Sequence, residues 1–166
     1  MTVRIEPAKL AWLEALTDSD ELFTERFGIP VTPGWVGFPE ALPGSLEAAR
    51  HRDADPWGSH LIFDGGALVG FGGFKGTPKE DEVEIGYAVA PDRQGRGVAT
   101  AAVRLLIAQA RRAGVERVVA HTLAAESAST RLLSRCGFVN VATVPDPDVD
   151  VTENVWRWEL TLRQSQ

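Results

Sequence analysis

The sequence predicts an α+β domain, on three observations. Residues 59–63 and 67–74 are strand-like and are joined by Asp64-Gly65-Gly66, a hairpin signal. Residues 82–122 read as strand, glycine-rich turn, helix and strand, and a helical crossover makes those two strands parallel. Residues 7–52 show helical apolar spacing interrupted by proline and glycine, with no sustained strand alternation.

In chain order, residues 2–6 make a short first strand. Pro7 suits the first turn of a helix whose apolar stripe begins at Leu10, Leu13 and Leu16. Ser19 caps a second helical run through Phe23 to Phe27, which stops at Gly28-Ile29-Pro30. Residues 31–44 read as loop, because Pro33, Gly34, Gly37, Pro39 and Pro43 break any regular element. Trp35 and Phe38 in that loop cover either a substrate or the core. Residues 45–52 form a short helix.

Along residues 82–89, Val83, Ile85, Tyr87 and Val89 point one way, and Glu82, Glu84, Gly86 and Ala88 the other. Pro91 ends that strand. Val98, Ala102, Leu105, Leu106 and Ala110 then mark a helix running to Arg112, with Gly114 as its stop. Residues 117–122 are the next strand, 126–135 a helix with Gly137 just beyond it, and 138–144 a strand. After a loop at 145–153, residues 155–162 end the fold, and Trp156, Trp158, Leu160 and Leu162 share a face expected to enter the core. No repeat or linker interrupts the 166 residues, so residues 1–166 are expected to form one domain.

Composition narrows the function. A net charge of −6 lacks the basic footprint of a nucleic-acid binder. No apolar run reaches the ~20 residues that span a bilayer, and residues 1–7 carry no signal-peptide core. The single Cys136 forms no internal disulfide and suits a reducing compartment. The expectation is a cytoplasmic protein with neither nucleic-acid nor membrane partners. There is no Cys-x-x-Cys or His-Glu-x-x-His, and His51, His60 and His121 lack metal-ligand spacing, so no metal is expected. Gly-x-Ser-x-Gly is absent as well.

The informative stretch is Gln94-Gly95-Arg96-Gly97-Val98-Ala99-Thr100, which opens a helix. A helix's first-turn amides have no internal partner, and its dipole places about half a positive charge there. Glycines let that main chain approach a phosphate or diphosphate, with Arg93 and Arg96 adding charge. The plain alternative is a left-handed glycine connection with solvated arginines. The Walker A loop is missing, and the dinucleotide fingerprint fails twice. Thr100 stands where its third glycine belongs, and residues 89–94 separate strand from turn.

Gln94-x-x-Gly97-x-Ala99 resembles the acyl-CoA diphosphate motif of the GNAT superfamily of N-acetyltransferases, Gln/Arg-x-x-Gly-x-Gly/Ala. Glu84-Ile85-Gly86-Tyr87 before a proline-containing turn is similar to many members. Ser129-Thr130-Arg131-Leu132-Leu133 with Gly137-Phe138 resembles the second motif, Asn-x-x-Ser-x-x-x-Leu-x-x-x-Gly-Phe. The likeness covers about residues 61–144. It implies a GNAT-type sheet of six to seven strands, mostly antiparallel and flanked by helices, whose fourth and fifth strands are parallel and splay apart. It implies acetyl-CoA as co-substrate. The backbone of Ala88, Val89 and Ala90 would meet the pantetheine arm, and the turn Gln94, Gly95, Arg96, Gly97, Val98, Ala99 and Thr100 would hold the diphosphate.

Strand geometry and the same resemblance make Glu84 the base, with Glu82 on its face as second candidate, and a solvated strand face is the plain alternative for both. An alkyl ammonium has a pKa of ~10.4 and must lose a proton before it attacks. Gly86 and Ala88 are expected to leave room beside Glu84. The usual tyrosine acid falls on Leu133 and the motif's asparagine on Glu126, so both are absent. A branch resembling the ribosomal-protein N-terminal acetyltransferases offers a serine there, and Ser129 stands in its place, either to hydrogen-bond the thiolate or to brace its helix.

The implied acceptor is a primary amine of a small molecule or peptide. The loop at 145–153 holds four acids and no base, which suits a cationic acceptor or is simply solvated. A non-catalytic acyl-CoA sensor remains the other use of the same scaffold. Similar proteins are commonly dimers, so a homodimer is also open.

Overall fold

The computed structural model describes residues 2–147 and 153–162. The chain runs β1 (Val3–Pro7), α1 (Leu10–Asp18), α2 (Asp20–Phe27), α3 (Leu42–His51), β2 (Ser59–Asp64), β3 (Ala67–Phe74), β4 (Glu82–Val89), α4 (Val98–Arg112), β5 (Arg117–Leu123), α5 (Ala128–Arg135), β6 (Val139–Pro145) and β7 (Asn154–Thr161). Seven strands form one sheet in the order β1-β2-β3-β4-β5-β7-β6. Every pairing is antiparallel except β4 with β5. The expected α+β architecture is the observed one.

Strand alternation gives the sheet two apolar faces, and the helices divide between them. Against one face, Trp12, Leu13 and Phe23 of α1 and α2 pack on Leu61, Phe63, Leu68 and Phe71. Against the other, Val103, Leu106, Ile107, Leu132 and Leu133 of α4 and α5 pack on Val83, Ile85, Val118, Ala120 and Trp158. Val98 and Ala102, at the start of α4, pack with Ile62, Val69 and Val89. That cluster fixes where the amino end of α4 stands relative to the tip of β4.

Several local expectations change. Pro7 closes β1 opposite His60 and does not open a helix; α1 starts three residues later. The loop expected at 31–44 ends early, because Pro43 sits in the first turn of α3, where a missing N–H costs nothing. Leu105 lies outside the buried stripe of α4, which runs through Val98, Ala102, Val103, Leu106, Ile107 and Ala110. α5 begins at Ala128, not at 126, because Ser127 and Thr130 form a reciprocal cap. Trp35 belongs to the core: it is buried edge-on against Phe71, and its Nε1 donates to Asp20 Oδ1 at 3.0 Å. Phe38 is exposed. Trp158 is buried, its Nε1 donating to Thr122 Oγ1 at 2.9 Å. Among the described residues no helix is long and apolar enough to cross a membrane.

Candidate active site

β4 and β5 pair only at Glu82–Arg117, Val83–Val118 and Glu84–Val119. Past Glu84 and Val119 both strands continue without pairing each other, so the sheet opens into a gap at their carboxyl ends. α4 follows β4 and starts at one end of this gap. Ser129 on α5 and Glu84 on β4 stand along it.

At the α4 end, Gly97 is the N-cap with φ 80° and supplies no side-chain cap, and the first turn holds no acidic residue. The first intrahelical bond of the turn runs from Ala101 N to Gly97 O at 3.0 Å. The amides of Val98, Ala99 and Thr100 therefore have no helical partner. Gly95 also has positive φ, 74°, which L residues with a Cβ adopt at a cost. Gln94 Nε2 donates to Val89 O at 3.1 Å, bracing the turn against the end of β4. Of the two arginines, Arg93 reaches Asp64 at 3.8 Å, while Arg96 is exposed. A surface groove of about 560 Å³ runs beside this turn, lined by Gly97, Thr100, Ala101 and Arg104 of α4, Val3 and Leu105. These amides, uncapped and free of acids, fit the diphosphate of a coenzyme.

The backbone of β4 divides by alternation. Ala90 N donates to Val69 O at 2.8 Å and Lys75 N donates to Glu84 O at 2.9 Å, so the even-numbered residues turn their main chain toward β3. Val89 and Tyr87 turn theirs toward the gap. Of the expected set Ala88, Val89 and Ala90, only Val89 can offer an amide to an extended chain there. Ala88 is also covered on its side-chain face, since a Cβ on Gly37 would overlap its own Cβ. The expected room therefore lies over Gly86, where an added Cβ would meet only the Lys75 side chain within 4 Å among the described residues.

Glu84 does not stand alone. Its Oε2 lies 2.8 Å from Lys75 Nζ and 3.0 Å from His121 Nδ1. Glu82, the second candidate, is bound to Arg157 at 2.9 Å and Arg117 at 3.3 Å, and Arg157 also bonds Glu159 at 3.0 Å. These contacts overcome burial and raise Arg157 above the usual arginine range. Glu82 is thus a member of an ion-pair network, and Glu84 is the carboxylate nearer the gap.

Ser129 leaves the capping of α5 to Ser127. Its Oγ lies 2.8 Å from the hydroxyl of Tyr87 on β4, so two hydroxyls meet beside the gap. Burial raises the Tyr87 phenol above its ordinary range, which keeps its proton in place at neutral pH. Leu133, where the family's tyrosine acid would stand, is fully buried in the core, and Glu126 is exposed ahead of the cap. Tyr87 was legible only as a core-facing strand residue, and His121 only as one of three unclustered histidines. Their roles follow from β4 and α5, and β4 and β5, being brought together by the fold. No cluster of three or more His, Cys, Asp or Glu suited to a metal occurs among the described residues. In the acidic loop, Asp146 N bonds Glu153 O at 3.0 Å, while Asp148 and Asp150 lie outside the described residues.

Comparison with known proteins gives a consistent result. Residues 16–138 match the Acetyltransferase (GNAT) family. A mycothiol acetyltransferase from Geodermatophilus obscurus is 32% identical over 118 residues, 65% of this chain and 38% of that protein; the chain thus spans little more than a third of this relative. The ribosomal-protein-S18-alanine N-acetyltransferase of Escherichia coli superposes with a TM-score of 0.64 at 18% identity, covering 99% of this chain and 97% of that one. RimJ of Mycobacterium smegmatis, solved with CoA-disulfide, has a TM-score of 0.68 at 20% identity, covering 96% and 81%. At these identities the solved structures share the fold.

Proposed function

This chain belongs to the Acetyltransferase (GNAT) family, and we propose that it moves an acetyl group from acetyl-CoA to a primary amine of a small molecule or peptide by direct attack. One observation carries the reading: the β4/β5 gap has uncapped helix amides at one end and the Glu84 carboxylate at its root. When bound, acetyl-CoA supplies an acyl group activated as a thioester. The amides of Val98, Ala99 and Thr100, with Arg96, hold the diphosphate, and Gln94 keeps their turn in place through Val89 O. Val89 N–H aligns the arm in the gap, so that proximity and orientation lower the barrier.

Glu84 supplies the negative charge that draws a proton from the incoming ammonium. Tyr87 Oη and Ser129 Oγ hold the hydroxyl protons available to a departing sulfur. An ordinary thiol has a pKa of ~8.5, so a hydrogen bond is sufficient help. Acceptors that carry further positive charge suit the acids of the 145–153 loop.

The test is an amine panel with thiol release as readout, on purified protein with acetyl-CoA. Thiol release dependent on a primary amine, and lost in Glu84→Gln, supports the reading. Calorimetric binding of acetyl-CoA with no release for any amine would instead make the chain an acyl-CoA-binding module.

A further inference from the structure

We propose that the atom receiving the acceptor's proton is Nε2 of His121, with Glu84 as the residue that orients and charges it; this rests on the acetyl-transfer reading above. The two side chains come from neighbouring strands. β4 and β5 are in register at Glu84–Val119, so His121 stands two residues further along β5 on the same face. It lies where the strands have already parted, with its side chain 11% exposed.

Hydrogen bonding fixes the imidazole. Glu84 Oε2 lies 2.8 Å from the Lys75 ammonium, an ion pair in which the carboxylate is the acceptor. An ionised carboxylate only accepts, so His121 Nδ1, 3.0 Å away, must be the donor. In the neutral ring the lone pair then sits on Nε2, which has no hydrogen-bond partner among the described residues. Imidazole is the side chain whose ordinary titration lies nearest neutrality.

Glu84 is the poorer acceptor because one of its oxygens already takes both the ammonium and the imidazole N–H. A second ammonium would approach a carboxylate that already holds the Lys75 ammonium. At His121, the acceptor's N–H bond breaks and an Nε2–H bond forms. The amine keeps the electron pair for attack, and the resulting imidazolium rests against Glu84 until water removes its proton. This is the arrangement in which a carboxylate holds the tautomer of a histidine base.

Among the described residues, the arginines near the ring are held by other carboxylates. Arg157 lies opposite His121 in the β5–β7 register, with its guanidinium on Glu82 and Glu159. Arg117 on the same strand joins Glu82 and Glu159. Among the described residues, Glu84, with Lys75 behind it, is therefore the charge that acts most directly on the ring.

His121→Asn tests the proposal, because its amide can still donate to Glu84 while Nε2 is gone. The expected result is a kcat about a hundredfold lower or more, acetyl-CoA affinity unchanged by calorimetry, and loss of the acidic limb of the kcat/KM pH profile. A rate equal to the wild type with that limb intact would overturn it. Nitrogen NMR on the resting protein gives a readout without turnover. Neutral His121 should carry its proton on Nδ1, and Glu84→Gln should weaken that preference. A wild-type ring protonated on Nε2 would overturn the assignment outright. Absence of thiol release from wild type with every amine would defeat the acetyl-transfer reading and with it the proton step, while the tautomer would still decide whether Glu84 sets the ring.

Discussion

The two ends of the gap are built in different ways. The coenzyme end, residues 94–100, uses main-chain amides from one continuous stretch, held by two left-handed glycines and a glutamine brace. The amine end uses side chains from separate segments: Glu84 from β4, Lys75 from the connection before it, and His121 from β5. Recognition of a diphosphate by backbone needs only a turn and a helix start, which neighbouring residues specify. Proton handling needs a pair of titratable groups, and only the parallel register brings those together.

If the ends are separable, substitutions should divide their effects. Glu84→Gln should have the largest effect, lowering kcat about 10²- to 10⁴-fold while calorimetry finds acetyl-CoA binding unchanged. A matching loss of coenzyme affinity would break the division. Gly97→Val should do the reverse. Its φ of 80° costs a residue with a Cβ about 1–2 kcal/mol, and the strained turn should weaken acetyl-CoA binding by roughly tenfold with the KM for amine little changed.

Tyr87→Phe sharpens the comparison at the middle of the gap. Loss of its bond to Ser129 should cost about 1 kcal/mol of stability in urea unfolding. It should also lower kcat, and combining it with Ser129→Ala should add less than the sum of the two, because they share one interaction.

The smallest effect should come from His60, away from both ends. It is buried, its Nδ1 is 2.9 Å from Gly58 O, and its Nε2 has no hydrogen-bond partner among the described residues. Burial holds its pKa below the ordinary 6.5. The unfolded chain therefore takes up the proton first, so the stability from neutral His60 is present above pH 6.5 and falls as pH drops toward the depressed folded value. The slope should reach at most about 1.4 kcal/mol per pH unit. Unfolding midpoints from pH 7 downward should show it, and His60→Gln should flatten it.

Legibility in the sequence followed the same division. The alternation along residues 82–89, the Ser19 cap and the Gly114 stop all rest on contacts within a few residues, and each has the expected place. Boundaries slipped where a cap had competitors: Ser127 rather than an earlier residue starts α5. The space beside Glu84 was placed over both Gly86 and Ala88, because a loop as distant as Gly37 cannot be seen from the strand it covers. Ser129 could be read as a brace or a hydroxyl donor, and its meeting with the Tyr87 hydroxyl could not be seen from either segment alone, because it depends on α5 packing over β4.

The sequence by itself determined the strand, turn and helix that leave amides unpaired for an anion, because helix starts and glycine turns are set by local sterics and hydrogen bonding. Only the tertiary structure decided that Glu84 meets Lys75 and His121, and that Tyr87 meets Ser129. Those contacts depend on strand register and helix docking, which arise from burial of apolar faces across the whole sheet and leave no local trace in the residues they bring together.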